Sequence, residues 1–162
     1  MVQSRVDAKK CLAAVNEGGT SMSVVFDSST DANSADRDFI AKSLQADNRD
    51  FAGEPASQDL CVYARDQGAI IAGLVGYTHW NWLYVRLLWV SDEYRKQGIG
   101  RALLSRAEKL AAERGCEHSS LDTFSESAQR FYESCGYAVF GVLDDYPKGC
   151  QRRYLAKRDL NR

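Results

Sequence analysis

The stretch from residue 83 to residue 114 constrains this chain more than any other. Residues 83–90 carry Leu83, Val85, Leu87, Leu88, Trp89 and Val90, an apolar run of strand length. A polar turn over residues 91–96 leads to Gln97, Gly98, Ile99 and Gly100. Beyond that loop, Ile99, Leu103, Ala107 and Leu110 recur on one helical face, Arg101, Glu108, Lys109 and Glu113 occupy the other, and Gly115 supplies a stop. A strand that feeds a helix through a glycine loop gathers unpaired backbone N–H groups and the positive end of a helix dipole at one point. That is a site for a phosphorylated ligand. In isolation the same loop is equally an ordinary strand-to-helix turn with solvated basic residues, so its flanks must decide.

Upstream, residues 23–26 read as a short strand, and residues 35–48 as an amphipathic helix carrying Phe39, Ile40 and Leu44. Residues 51–58, with Gly53 and Pro55, read as a loop. Residues 60–65 and 69–80 form two strands joined through Asp66, Gln67 and Gly68, so the strand over 83–90 is the third of an antiparallel series. Gly73 and Gly76 inside the middle strand predict a bulge or a closely approached backbone. Residues 118–124 form a strand parallel to its predecessor, because a helix intervenes. A short helix capped by Ser125 or Ser127 follows, with Ala128, Phe131 and Cys135 on one face and Gly136 at its end. Residues 137–143 and 151–156 make a last pair of strands. The fold class is therefore α/β (α+β): a central, mostly antiparallel mixed sheet of six to seven strands flanked by helices.

Length and composition bound what this fold can do. With 162 residues, 44% hydrophobic, the chain suits one domain with a full core. Residues 1–21 are weakly patterned, with Val6, Leu12, Ala13 and Val15 on one short helical face, and read as an extension or leader before a domain over 22–162. Charge is nearly balanced, 21 Lys plus Arg against 22 Asp plus Glu, which offers no global field for nucleic acid or an anionic membrane. Five cysteines with no C-x-x-C pair argue against a disulfide framework and a structural zinc site, and no apolar run approaches a membrane span. The expectation is a cytoplasmic protein without a metal.

The segment Arg95-Lys96-Gln97-Gly98-Ile99-Gly100 fits R-x-x-G-x-G, and its flanks strengthen it: residues 87–94 (LLWVSDEY), 101–104 (RALL) and 128–137 (AQRFYESCGY). Over residues 22–158 the chain resembles the GNAT acetyltransferase superfamily, whose fold has a splayed parallel strand pair. The resemblance implies acetyl-CoA as co-substrate and transfer of its acetyl group to a primary amine of a small molecule or peptide.

On that resemblance, the backbone amides of Gln97, Gly98, Ile99, Gly100 and Arg101 wrap the pyrophosphate, with Arg95 and Lys96 adding charge. Leu88, Trp89 and Val90 pair with the pantetheine arm through their backbones, and one N–H there polarises the thioester carbonyl. Trp89 itself reads as a packing residue. Ser125, Ala128 and Phe131 complete the cofactor set, with Ser125 standing where the family places asparagine. Tyr132 is the general acid toward the departing thiolate. Phe131, its neighbour on the helix, is expected to turn into the core while Tyr132 turns toward the cofactor.

A base is harder to find. The central strand carries Arg86 and no acid, leaving Asp122, Glu93, Asp144, Asp145 or a water relay. The acidic tract over residues 27–50 and the cluster His79, Trp80 and Trp82 are candidates for the acceptor side, each equally readable as ordinary surface. The basic tail (Arg152, Arg153, Lys157, Arg158, Arg162) lacks the aromatic partners of a nucleic-acid surface. A free edge over residues 151–156 is compatible with a homodimer. The competing class is a catalytically silent acyl-CoA-binding sensor or interaction module. A dinucleotide-binding loop is disfavoured, because Leu103 stands at the third glycine position of G-x-G-x-x-G and antiparallel strands precede it.

Overall fold

A computed structural model describes residues 10–13, 23–30, 34–53 and 57–160. The chain divides into two compact units, Met1–Phe51 and Ala52–Arg162. In the first, β1 (Lys10–Ala13) pairs antiparallel with β2 (Ser23–Phe26), and α1 spans Ala35–Ala52. Leu12 and Ala13 thus lie in a strand, not on the helical face expected for them. A four-residue segment gains more from a ladder partner than from an isolated helical turn, whose nucleation is costly. Val6, Val15 and the rest of the expected extension lie outside the described residues. Helix α1 runs four residues past its expected end, into the segment read as a loop.

The second unit holds a six-stranded sheet in the order β3-β4-β5-β6-β8-β7. Its strands are β3 (Ser57–Asp66), β4 (Ala69–His79), β5 (Trp82–Val90), β6 (His118–Thr123), β7 (Ala138–Asp144) and β8 (Gln151–Lys157). Only the β5–β6 pair is parallel. Strand β3 begins earlier than its apolar run, because Ser57 and Gln58 pair with His79 and Thr78 of the long β4. The β3–β4 hairpin turns on Gln67 (φ 45°) and Gly68 (φ 88°), two left-handed residues as a tight two-residue hairpin requires. Strand β8 lies inside the sheet, between β6 and β7, so residues 151–156 are not the free edge expected from sequence. The edges are β3 and β7.

Helix α2 (Ile99–Glu113) covers one face, burying Leu103, Leu104, Ala107 and Ala111 against Leu60, Val62, Leu74, Leu83 and Val85. Burying each leucine side chain stabilises the fold by about 1.5–3 kcal/mol. Helix α3 (Glu126–Ser134) follows β6 and takes its cap from the Ser125 side chain, which accepts from the Ala128 amide at 3.3 Å.

Two irregularities in β5 shape everything downstream. The first is a bulge: Val75 pairs with Leu87 and Gly76 with Val85, so Arg86 is the extra residue. Gly76 allows it, since a Cβ there would stand 2.3 Å from the Tyr84 carbonyl oxygen. Across the bulge the alternation inverts. Leu83 and Val85 point into the core before it, Leu88 and Val90 pack toward the core after it, and Leu87 and Trp89 turn outward. The second is the splay. Parallel pairing with β6 stops at Tyr84 and Ser120, although β5 runs on to Val90 and β6 to Thr123. The strands therefore part five residues before Trp89 and leave that side of β5 without a strand partner.

Candidate active site

The gap left by β5 opens on a cavity of about 640 Å³, within the range of small-molecule sites. Leu88, Trp89 and Val90 form one wall. Arg95, Lys96, Gly98, Ile99, Gly100 and Arg101 form the second, and Ala128, Phe131 and Tyr132 of α3 the third. Twelve of the fourteen residues expected from sequence therefore meet at one place. Gln97 and Ser125 do not line it. The Gln97 side chain turns back to donate to the Glu93 carbonyl at 2.9 Å, and the Ser125 hydroxyl is committed to capping α3 and to Ser127 Oγ at 2.8 Å. Tyr94 and Ser127 join the wall without having been singled out. Tyr94 had a signal in the segment 87–94, and its hydroxyl anchors the turn by donating to Asp66 at 2.5 Å. Ser127 had only its place as an alternative cap.

The glycine loop is built to leave its amides free. Lys96 (φ 61°) and Gly98 (φ 82°) are left-handed, and Gly98 caps α2 without a side chain. The first intrahelical bond runs from the Ala102 amide to the Gly98 carbonyl at 3.0 Å. Among the described residues, the amides of residues 97–101 find no acceptor. The two glycines serve different ends. A Cβ on Gly98 would meet nothing within 4 Å, so that glycine answers to its backbone conformation alone. A Cβ on Gly100 would make ordinary contact with Phe131 Cζ at 3.5 Å and Val90 Cγ2 at 3.7 Å, pressing into the cavity between its second and third walls.

The two arginines there are held in place. Arg95 pairs with Asp92 at 2.6 Å and donates through Nε to the Val90 carbonyl at 3.1 Å, taking up one backbone group that β5 left open. Arg101 reaches α3, donating to the Ser134 carbonyl and hydroxyl at 2.9 Å each, which ties the start of α2 to the end of α3.

Trp89 is half exposed at 52% and stands in the cavity wall, against the packing role expected of it. The bulge at Arg86 turns it outward. Tyr132 lines the cavity as expected, and Phe131, of the cofactor set, lines it beside Tyr132 instead of turning only into the core. Their rings meet edge to face at 5.1 Å, and Tyr132 meets Tyr137 at 6.0 Å. Tyr132 is buried, and its hydroxyl has no hydrogen-bond partner among the described residues. Burial, then Cys135 and Asp122 nearby, pushes its pKa up to about 12. Beneath it, the Tyr137 hydroxyl donates to Glu108 Oε1 (3.0 Å) and accepts from Ser119 Oγ (2.8 Å), with Lys157 on Glu108 at 2.7 Å.

The carboxylates weighed as bases are engaged elsewhere or remote. Asp122 accepts two hydrogen bonds from Arg152 at 2.7 and 2.8 Å, and Arg152 lies against the rings of Phe124, Tyr146 and Tyr154. Asp144 accepts from Gln151, Asp145 from the Gly149 amide, and Glu93 is exposed in the turn. His79 lies tilted against Trp80, ring centroids 4.2 Å apart, while Trp82 is flanked by His118 and Arg158. In the acidic tract, Asp31 lies outside the described residues. Arg153 and Lys157 of the basic tail pair with Glu126 and Glu108. No group of three metal-ligating side chains occurs among the described residues, and no helix of theirs is long and apolar enough to cross a membrane.

Comparison with known proteins agrees with this architecture. The profile of the acetyltransferase (GNAT) family matches residues 26–137. An acetyltransferase of Agrobacterium fabrum is 39% identical over 120 residues, covering 74% of this chain and 88% of its own length. The blasticidin-S acetyltransferase of Streptomyces morookaense is 40% identical over 106 residues, covering 62% of this chain and 78% of itself. A crystal structure of an acetyltransferase from Agrobacterium tumefaciens superposes with a TM-score of 0.72 at 36% identity, covering 85% of this chain and 99% of that one. A strand that parts from its parallel neighbour, amides left open at a glycine loop and a buried tyrosine across from them thus belong to a member of the GNAT acetyltransferase family.

Proposed function

We propose that the protein transfers the acetyl group of acetyl-CoA to a primary amine by direct attack. One observation carries the reading: the buried Tyr132, its hydroxyl unpartnered, shares a cavity with the free amides of the glycine loop. The amides and the α2 dipole suit a pyrophosphate, the unpaired stretch of β5 suits the amides of a pantetheine arm, and Tyr132 stands where the arm would end. A relative 40% identical is named for acetylating blasticidin S, which favours a small-molecule acceptor.

In the reaction the amine nitrogen bonds to the thioester carbon, the C–S bond breaks, and the proton lost by nitrogen ends on sulfur. A backbone N–H in Leu88–Val90 holds the carbonyl oxygen as it gains charge. A phenol of pKa about 12 stays protonated at neutral pH. A thiol, at about 8.5, is a stronger acid by about three units, so Tyr132 does not simply surrender its proton to the thiolate. It steadies the leaving sulfur with a hydrogen bond and passes its own proton on as the amine's proton replaces it. No carboxylate is placed as a dedicated base, and the amine's proton reaches Tyr132 through water.

The test is release of free thiol. It should require both acetyl-CoA and an amine, and CoA should bind in isothermal titration. Absence of CoA binding overturns the reading. Tight CoA binding with no acetylation across a broad amine panel favours the silent acyl-CoA sensor, which the tied-up Asp122 would then explain.

A further inference from the structure

A second cavity, of about 690 Å³, opens on the sheet face away from α2, where β5 leaves β6. Strand register sets one row across its floor: Asp59 on β3 faces Tyr77, Tyr77 faces Tyr84, and Tyr84 faces Ser120. The Tyr77 and Tyr84 rings stack, with centroids 5.1 Å apart and planes 11° from parallel.

Three charged side chains line this cavity: Asp59, Arg86 and Asp122. Asp122 is neutralised by its double contact with Arg152. Asp59 and Arg86 have no side-chain partner among the described residues. The cavity is therefore polarised, negative at the β3 edge and positive where the bulge sets Arg86 beside the splay. Asp59 stands two strands from β5, roughly 10 Å at the usual spacing of about 4.8 Å.

The two ends place different demands on a bound molecule. Beyond Tyr84, where pairing with β6 stops, β5 lines this cavity with Val85 and Arg86 and the cofactor cavity with Leu88, Trp89 and Val90, so the reacting amine belongs at that end. A positive charge on Arg86 disfavours an ammonium there and favours the neutral, nucleophilic amine. At the far end an unpaired carboxylate beside two tyrosine rings attracts a cation, through charge and through the ring faces.

Resting on the acetyl-transfer reading, we infer that the acceptor carries a second cationic group, roughly 10 Å from the amine that is acetylated, which Asp59 holds against the Tyr77–Tyr84 pair. The acceptor class is thus an amine with a remote ammonium or guanidinium, not a simple monoamine. Asp59 is the residue that sets this preference.

The experiment is isothermal titration of hexamethylene diamine and of hexylamine into the CoA-saturated protein, wild type and Asp59→Asn. The diamine should bind wild type about tenfold more tightly than hexylamine, and Asp59→Asn should remove that difference while leaving CoA affinity unchanged. Asp59 is exposed on an edge strand and contributes only its carbonyl to Arg114, at 3.1 Å, so the variant keeps the fold. Equal affinity for the two amines, binding of neither, or a diamine preference that survives in Asp59→Asn overturns the inference. Failure of the acetyl-transfer reading shows separately, as loss of CoA binding in the same titrations.

Discussion

Gly76→Ala is the sharpest perturbation of the framework. An alanine Cβ at that position would lie 2.3 Å from the Tyr84 carbonyl oxygen, 3.2 Å from its carbonyl carbon and 3.3 Å from Val85 Cα. All three are backbone atoms of the neighbouring strand, so no side chain can swing away. Ordinary contact near 3.5 Å requires β4 and β5 to separate by roughly 1 Å at the bulge. Overpacking of this kind costs about 1–3 kcal/mol, against which the stiffer unfolded chain returns about 0.4–1 kcal/mol. The net is a loss of about 1 kcal/mol, or roughly 2–4 °C in Tm for a chain of this size. Because the bulge decides which side chains of β5 face the cofactor cavity, CoA affinity should also fall, by about tenfold. Gly73→Ala is the control. Its Cβ would meet the Tyr63 ring at 3.2 Å, but that ring is half exposed and free to turn, so stability should change little or rise. Differential scanning calorimetry and CoA titration of both variants read the outcome. If Gly76→Ala melts with wild type, or Gly73→Ala loses as much, the bulge argument is wrong.

Tyr132→Phe should lower kcat by about 10²-fold and leave CoA affinity unchanged, as measured by steady-state thiol release and titration, since only the leaving sulfur loses a partner. Gly98→Ala should cost about 1 kcal/mol in urea unfolding, because the left-handed conformation and not crowding is what alanine resists, while Gly98→Glu should abolish CoA binding by placing a carboxylate at the anion site. The folded-state pKa of Tyr132 lies above that of an unfolded tyrosine, so its contribution to stability is complete below pH 10 and disappears as pH rises toward 12. Urea unfolding across that window should therefore show a steeper loss of stability in wild type than in Tyr132→Phe.

Sequence carried the sheet, the long helix and the place of the glycine loop because each is written in local periodicity or in glycine and turn chemistry. Gln67-Gly68, the apolar face of α2 and Ser125 as a cap are of that kind. What escaped depended on partners distant in sequence. The inward turn of Leu88 and the outward turn of Trp89 follow from a one-residue bulge that appears only when Val75 and Gly76 meet β5, although Gly76 itself hinted at it. The position of β8 inside the sheet depends on β6, some thirty residues away, and no pattern within residues 151–156 distinguishes an interior strand from an edge. Ser125 was read by its position relative to Ala128, yet a hydroxyl one atom out on its side chain reaches the Ala128 amide of its own helix before it reaches the cavity. The charge polarity of the second cavity was illegible for the same reason: Asp59, Arg86 and Asp122 come together only through strand order.

The central claim is that the amides of residues 97–101 hold the phosphates of CoA while its sulfur lies beside Tyr132. A crystal structure of the protein with CoA measures this directly. It should show the pyrophosphate on those amides and the sulfur about 3–3.5 Å from the Tyr132 hydroxyl. A pyrophosphate elsewhere, or a sulfur out of reach of that hydroxyl, contradicts the account.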